Sequence, residues 1–230
     1  MYFKQNIASL ALAILFAMAF SLTVALVFIS SAKKTVLDTV DTTTESSVTT
    51  TAKPTTEPKP AQLLEFLSNG NGTCALGGVG NCTDASISIP AYSPTGDRVT
   101  SILPRAFYGC PTVTAIYIPE TVAFIGNLAF ADCKSLAFIS VSPQNLAYRA
   151  MDGVLYSADL SVLILYPPKR AGTSYLILKE TTAIREMAFY DCTYLKGIRY
   201  TGSALQWEQI SVGAKNYALL ALSKEFGASE

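Results

Sequence analysis

VTSILPRAFYGC (99–110), VAFIGNLAFADC (122–133) and TTAIREMAFYDC (181–192) align without a gap. Each carries an isoleucine (Ile102, Ile125, Ile184). Ala-Phe follows four and five residues later (Ala106-Phe107, Ala129-Phe130, Ala188-Phe189). A cysteine stands three residues beyond each phenylalanine (Cys110, Cys133, Cys192). After each cysteine comes a short alternating apolar run, VTAIYIP (113–119), LAFISV (136–141) and LKGIRY (195–200). ASISIP (85–90) and YLIL (175–178) are related runs. Alternation with β-branched residues predicts short strands. The first two copies lie about 23 residues apart, a leucine-rich-repeat period. The longer gap from Cys133 to Cys192 suits two or more degenerate turns.

One such turn is too small to bury its own Ile, Leu and Phe side chains, whereas stacked turns share a core. The repeat therefore predicts a solenoid in which Phe107, Phe130 and Phe189 line up along one continuous apolar interior. Burying each ring contributes roughly 1.5–3 kcal/mol.

Composition narrows the function. The 230 residues hold 17 basic and 17 acidic side chains, five cysteines and no histidine. Zero formal charge leaves no electrostatic footprint for nucleic acid. Without histidine there is no Ser-His or Cys-His nucleophile pair, and the commonest general base and zinc ligand are missing. A hydrolase built on paired carboxylates stays open in principle, but no pair stands out. The expectation is a non-catalytic protein without cofactor or metal.

The first sixty residues stand apart. Residues 7–29 carry no charge and are nearly all apolar. At 1.5 Å per residue they would span roughly 35 Å as a helix, enough to cross a hydrocarbon core. A cleavable signal peptide ending near Ser30-Ser31-Ala32 is the alternative. TVLDTVDTTTESSVTTTAKPTTEPKP (35–60) has almost nothing to bury and reads as a disordered stalk. The expected organisation is thus an anchor or signal peptide over 1–34, a linker over 35–60, the repeat domain over 61–215, and a tail or cap over 216–230.

The arrangement I-x-I-P, V-x-x-I, A-F-x-x-C, L-x-x-I resembles the BspA-type (Treponema pallidum-type) leucine-rich repeat of bacterial and protist surface proteins. The likeness covers about residues 74–215. It takes in an opening segment, VGNCTDASISIPAYSPTGDRVTSI, and a closing one, IRYTGSALQWEQISVGAKNYAL. MDGVLYSADLSVLILYPP is similar to a common insertion of the family, and Asn145-Leu146-Ala147 falls in a loose region. The resemblance implies a leucine-rich-repeat solenoid of short parallel strands with short helical or irregular turns, after an N-terminal transmembrane helix and stalk. It also implies adhesion, or binding of a protein or glycan ligand on a host or neighbouring surface. A structural, envelope-associated protein with no external ligand is the alternative. The membrane partner would be met through residues 7–29, with the C-terminal domain outside the cell, or secreted after cleavage near Ala32.

Cys110, Cys133 and Cys192 occupy equivalent positions and are expected to stack as buried thiols, with Cys82 in the same ladder. A bridge from Cys74 to Cys82 is the competing arrangement for that pair. Asn71-Gly72-Thr73 and Asn81-Cys82-Thr83 match the glycosylation acceptor pattern, although Asn-Gly also marks a turn. Asp84, Asp97, Asp132, Asp152, Asp159 and Asp191 recur near turns with no calcium-loop spacing, which favours turn chemistry.

Function is expected on the strand residues that point away from the core. Aligning the runs gives one outward row of Ser86, Ala115, Phe138, Tyr175 and Gly197. The next row is Ser88, Tyr117, Ser140, Ile177 and Arg199. Tyr117, Phe138, Tyr175 and Arg199 are the expected binding patch, because aromatic and Arg side chains on a rigid surface anchor contacts. Packing against a flanking element is the competing role for them. Leu205, Trp207 and Ile210 are expected to close the open end of the solenoid, with sugar stacking by Trp207 as the alternative.

Overall fold

In the computed structural model, which describes residues 63–81 and 83–227, each post-cysteine run forms a strand. Strands β3 (Ser86–Ser88), β5 (Ala115–Ile118) and β7 (Phe138–Val141) make one parallel sheet. Strands β11 (Ser174–Ile177), β13 (Gly197–Tyr200) and β15 (Ser223–Phe226) make a second. These six strands mark about six turns of a leucine-rich-repeat solenoid. The V-x-x-I corners supply the other strands of the coil. Strands β4 (Arg98–Ile102) and β6 (Phe124–Ile125) pair in parallel. So do β10 (Val162–Leu165), β12 (Ala183–Ile184) and β14 (Ser211–Val212).

Both ends depart from the plain repeat. At the first end, β1 (Glu65–Ser68) and β2 (Thr73–Gly78) form a hairpin whose second strand pairs in parallel with β4. Its turn is Asn69-Gly70-Asn71-Gly72, with both glycines at positive φ, so the Asn-Gly pairs do act as turn residues. At the last end, helix α1 (Ala204–Glu208) is capped by Ser203, which shares a reciprocal capping box with Gln206. Helix α2 (Tyr217–Ala221) then leads into β15. The stretch after 215, expected as a tail or cap, thus adds a strand to the sheet and places Leu219 in the core.

The repeat makes its corner the same way each time. The residue before each Ala-Phe adopts a left-handed backbone: Arg105, Leu128 and Met187 have φ of 60°, 57° and 57°. Lys215 repeats this at 61° one turn later. Such a conformation costs a non-glycine residue roughly 1–2 kcal/mol. Inter-turn hydrogen bonds offset it, with Arg105 N–H donating to the Asn127 carbonyl and Met187 N–H to that of Ala214. Gly109, Asp132 and Asp191, each just before a repeat cysteine, are also left-handed. That assigns two of the recurring aspartates to backbone geometry.

Ile102, Phe107, Ile125, Phe130, Ile184 and Phe189 are all buried. The aromatic line is real but divided. Phe107 and Phe130 are 5.3 Å apart by ring centroid in one apolar cluster. Phe189 belongs to a second cluster and stacks on Tyr166 at 5.2 Å. One continuous interior was the expectation; a hairpin inserted between the clusters corrects it. Strands β8 (Tyr148–Met151) and β9 (Val154–Ser157) form that hairpin, which sends Leu155 to the first cluster and Val154 and Tyr156 to the second.

Side chains close the seam. Ile125 N–H donates to the Tyr148 hydroxyl at 2.8 Å, and its carbonyl accepts from Arg185 Nη1 at 3.2 Å. Asn145, in the stretch expected to be loose, is buried and makes four hydrogen bonds. Its amide donates to the carbonyls of Pro119 and Val122, and its oxygen accepts from the N–H of Ala147 and Tyr148. Asn216 does similar work at the last turn. Its oxygen accepts from Phe189 N–H, and its amide donates to Arg185 and Gly213. A buried backbone group left unpaired would cost about 1–3 kcal/mol, so these asparagines replace ladder bonds that the irregular turns lack.

Cys74, Cys110, Cys133 and Cys192 are free thiols. Cys133 donates to the Phe107 carbonyl and Cys192 to that of Tyr166, the same bond made to the turn below. Burial pushes the Cys133 thiol up to about 12 and raises Cys192 as well, which removes thiolate reactivity near neutral pH. Cys110 is only half-buried. Cys74 is buried and unbridged, with its thiol facing the Asp97 carbonyl. Cys82 and the apolar segment 7–29 lie outside the described residues. Among the described residues, no helix is long and apolar enough to cross a membrane.

Candidate binding face

The outward face of the strands is set by which side chains the core takes. In β5, Ile116 and Ile118 point inward, leaving Ala115 and Tyr117 on the outer side. In β7, Ile139 is inward and Phe138 is about half exposed. The pairing aligns Ser86 with Ala115 and Phe138, and Ser88 with Tyr117 and Ser140. The pairing within both expected rows is observed across this first sheet, but Ser88 is buried and does not reach the surface.

They fail by one residue in the second. Tyr175 is paired with Ile198, and Leu176 with Arg199. Tyr175 is only 4 % exposed, and Ile177 is buried too. A slip of one residue moves a whole strand to its other face. The outward residues are therefore Ser174 with Gly197 and Ser223, and Leu176 with Arg199 and Glu225. Aligning SYLIL (174–178) on AIYIP (115–119), rather than Tyr175 on Ala115, gives the observed register, because Tyr175 and Ile177 then fall on Ile116 and Ile118.

Tyr175 works inside. Its hydroxyl donates to the Met151 carbonyl at 3.4 Å and lies 3.1 Å from the Tyr156 hydroxyl. Its ring meets that of Tyr166 edge-on at 5.4 Å. Burial pushes the Tyr175 phenol up to about 12 and Tyr156 higher still. Over this cluster lies Arg170, whose guanidinium is 4.8 Å from the Tyr175 ring. Arg170 also donates to the Asp152 carbonyl at 2.7 Å and reaches its carboxylate at 3.7 Å. Arg170 thus ties the inserted hairpin to the second sheet, a role that sequence spacing did not single out.

The hairpin also meets the first sheet. Ile139 N–H donates to the Gly153 carbonyl, and a Cβ on Gly153 would come within 2.6 Å of the Phe138 ring. Gly153 has φ of 81°, so both space and backbone require glycine there. Tyr117 and Phe138 consequently lie on one strand ladder and Leu176 and Arg199 on another. Arg199 is exposed and faces Glu225 across the strands.

At the last turn, Trp207 packs edge-on against Tyr200 at 5.3 Å and against Phe226 at 6.5 Å. Ile210 is buried beside it, as expected of an end cover. Leu205 is not part of that cover: it is 75 % exposed. Leu219 and Phe226 complete the cover instead.

A coil of short parallel strands over a core of Ile, Phe and buried thiols defines a leucine-rich-repeat solenoid, a repeat scaffold. The repeats match the family profile described as "BspA type Leucine rich repeat region" in six copies, with residues 81–156 covered. Among solved structures, the pneumococcal vaccine antigen PcpA is 24 % identical with a TM-score of 0.51, covering 62 % of this chain and 34 % of its own. A leucine rich cell surface protein from Faecalibacterium prausnitzii is 28 % identical with a TM-score of 0.47, over 63 % of this chain and 41 % of its own. The leucine-rich-repeat protein of T. pallidum is 16 % identical with a TM-score of 0.40, over 75 % of this chain and all of its own. The chain spans about a third of the PcpA chain's length. No curated protein matches it.

Proposed function

We propose that this chain is a cell-surface, membrane-anchored leucine-rich-repeat binding module, working by adhesion to a protein or glycan and not by catalysis. The observation that carries this reading is the outward strand face. Tyr117 and Phe138 on one ladder, and Leu176 and Arg199 on the next, offer apolar and charge-bearing anchors. Short strands hold them, so little conformational entropy is lost on docking. Residues 7–29 are apolar enough to anchor the chain, and the Thr-rich 35–60 segment gives reach from the membrane.

Cells displaying the full chain test this. Saturable binding to extracellular-matrix proteins or to a glycan array is expected, weakened about tenfold or more by a Phe138→Ala, Arg199→Ala pair, since a lost anchor of 1.4 kcal/mol is tenfold. No saturable binding across both arrays would contradict adhesion. The anchored topology has its own test. Protease added outside intact cells should remove the repeat domain, and a domain cut only after lysis would contradict the external location.

A further inference from the structure

We infer that the last full turn holds a second binding site, a cleft for a small carboxylate-bearing ligand that shares no residue with the outward strand face. The cleft has a volume of about 200 Å³ and lies between the 179–182 corner and helix α1. Liquid water takes roughly 30 Å³ per molecule, so the space suits a ligand the size of one sugar or one amino acid.

Its lining is rich in donors and, among the described residues, has no carboxylate. Lys179 is an exposed, cationic member of the lining, and its backbone N–H donates to the Thr201 hydroxyl at 2.7 Å. Gln206 and Gln209 come from the helix side. The oxygen of Gln206 already accepts from Ser203 N–H at 2.9 Å, so the capping box leaves its NH₂ as the group it can offer. The Thr181 and Thr182 hydroxyls donate to the carbonyls of Leu160 and Ser161, which leaves their lone pairs to accept from a ligand hydroxyl or amine. Ile210 supplies an apolar floor. One cation and two side-chain amides in the lining select a carboxylate over a neutral ligand, with Glu180, whose charge reaches the Tyr200 phenol, as the opposing acid beside the cleft, because charge-assisted hydrogen bonds are about twice as strong as neutral ones. The carboxylate could come from an acidic sugar or from an amino acid.

The molecule carries its own reporter. Trp207 is the single tryptophan and packs on Tyr200, which walls the cleft. The full chain is titrated with glucuronate, glutamate and glucose while Trp207 emission is followed. A saturable change with at least one of the two acids and none with glucose is expected; which acid responds separates the sugar source from the amino-acid source. Lys179→Gln should weaken that acid about tenfold, while Arg199→Ala leaves it unchanged. Silence with both acids, an equal response to glucose, or full binding by Lys179→Gln would overturn the site. A loss of binding at the outward face would leave it untouched.

Discussion

The ring of Tyr166 stacks on that of Phe189 at 5.2 Å and 18°, the place in its turn that Phe107 holds towards Phe130. The backbone agrees: Tyr166 N–H donates to the Ala188 carbonyl as Phe107 N–H donates to that of Ala129. Tyr166 is thus the aromatic of a turn in which Tyr-Pro-Pro replaces Ala-Phe. Its hydroxyl is buried and makes no hydrogen bond of good geometry, with the Arg170 guanidinium the nearest charged group acting on it.

Tyr166→Phe should therefore keep the stack and remove a buried polar atom that Arg170 meets only with poor geometry. We expect stabilisation by about 1 kcal/mol, at the low end of the cost of a buried unsatisfied group. Urea unfolding of the two proteins measures it, and a loss of 1 kcal/mol or more would show that the hydroxyl is paired.

The two asparagines at the irregular turns offer a sharper loss. Asn216→Ala strips partners from Phe189 N–H and from two carbonyls. It should cost about 3 kcal/mol or more, from several unsatisfied buried groups at roughly 1–3 kcal/mol each. Asn145→Ala should behave alike, for the same reason. A change under 1 kcal/mol in either would mean that water replaces the side chain.

Register in the second sheet is open to a paired test. Tyr175→Ala removes a buried ring and should cost about 3–5 kcal/mol, whereas Leu176→Ala, on the exposed face, should stay within about 0.5 kcal/mol. The opposite order of the two melting temperatures would restore the outward tyrosine.

The contrast between these neighbours shows what the sequence could and could not say. The isoleucine, Ala-Phe and cysteine positions repeat in three copies, so the coil, its period and its buried face were readable from pattern alone. Tyr166 hid because its turn keeps the ring but not the Ala-Phe-x-x-Cys frame. Tyr175 misled because YLIL alternates equally well in either phase, and only pairing with Ile198 decides. Asn145 and Asn216 gave no signal, since a polar residue in a loop looks the same whether it meets solvent or a buried carbonyl. The split core follows from the hairpin's strands, whose alternate residues serve two clusters at once.

Above neutral pH, stability should fall on the alkaline side. Burial raises the Cys133 thiol and the Tyr175 phenol to about 12, and raises Cys192 and Tyr156 too. In the unfolded chain these groups lose their protons near 8.5 for Cys and 10 for Tyr. Their neutral forms are the ones the fold accommodates, so this stability is complete below about pH 8.5 and is lost as pH rises towards 12. With no histidine to titrate, Tm should be flat from about pH 6 to 8.5 and then drop. A Tm still unchanged near pH 12 would contradict the buried phenols and thiols.

Adjacent turns in contact through their aromatic rings are the heart of the account, and a double-mutant cycle on Phe107→Ala and Phe130→Ala measures that contact. Equilibrium unfolding should give a coupling of about 0.5–1.5 kcal/mol for this pair and none beyond error between Phe107 and Phe189, which sit in different clusters. Strict additivity for Phe107 and Phe130 would mean that the turns do not stack as described.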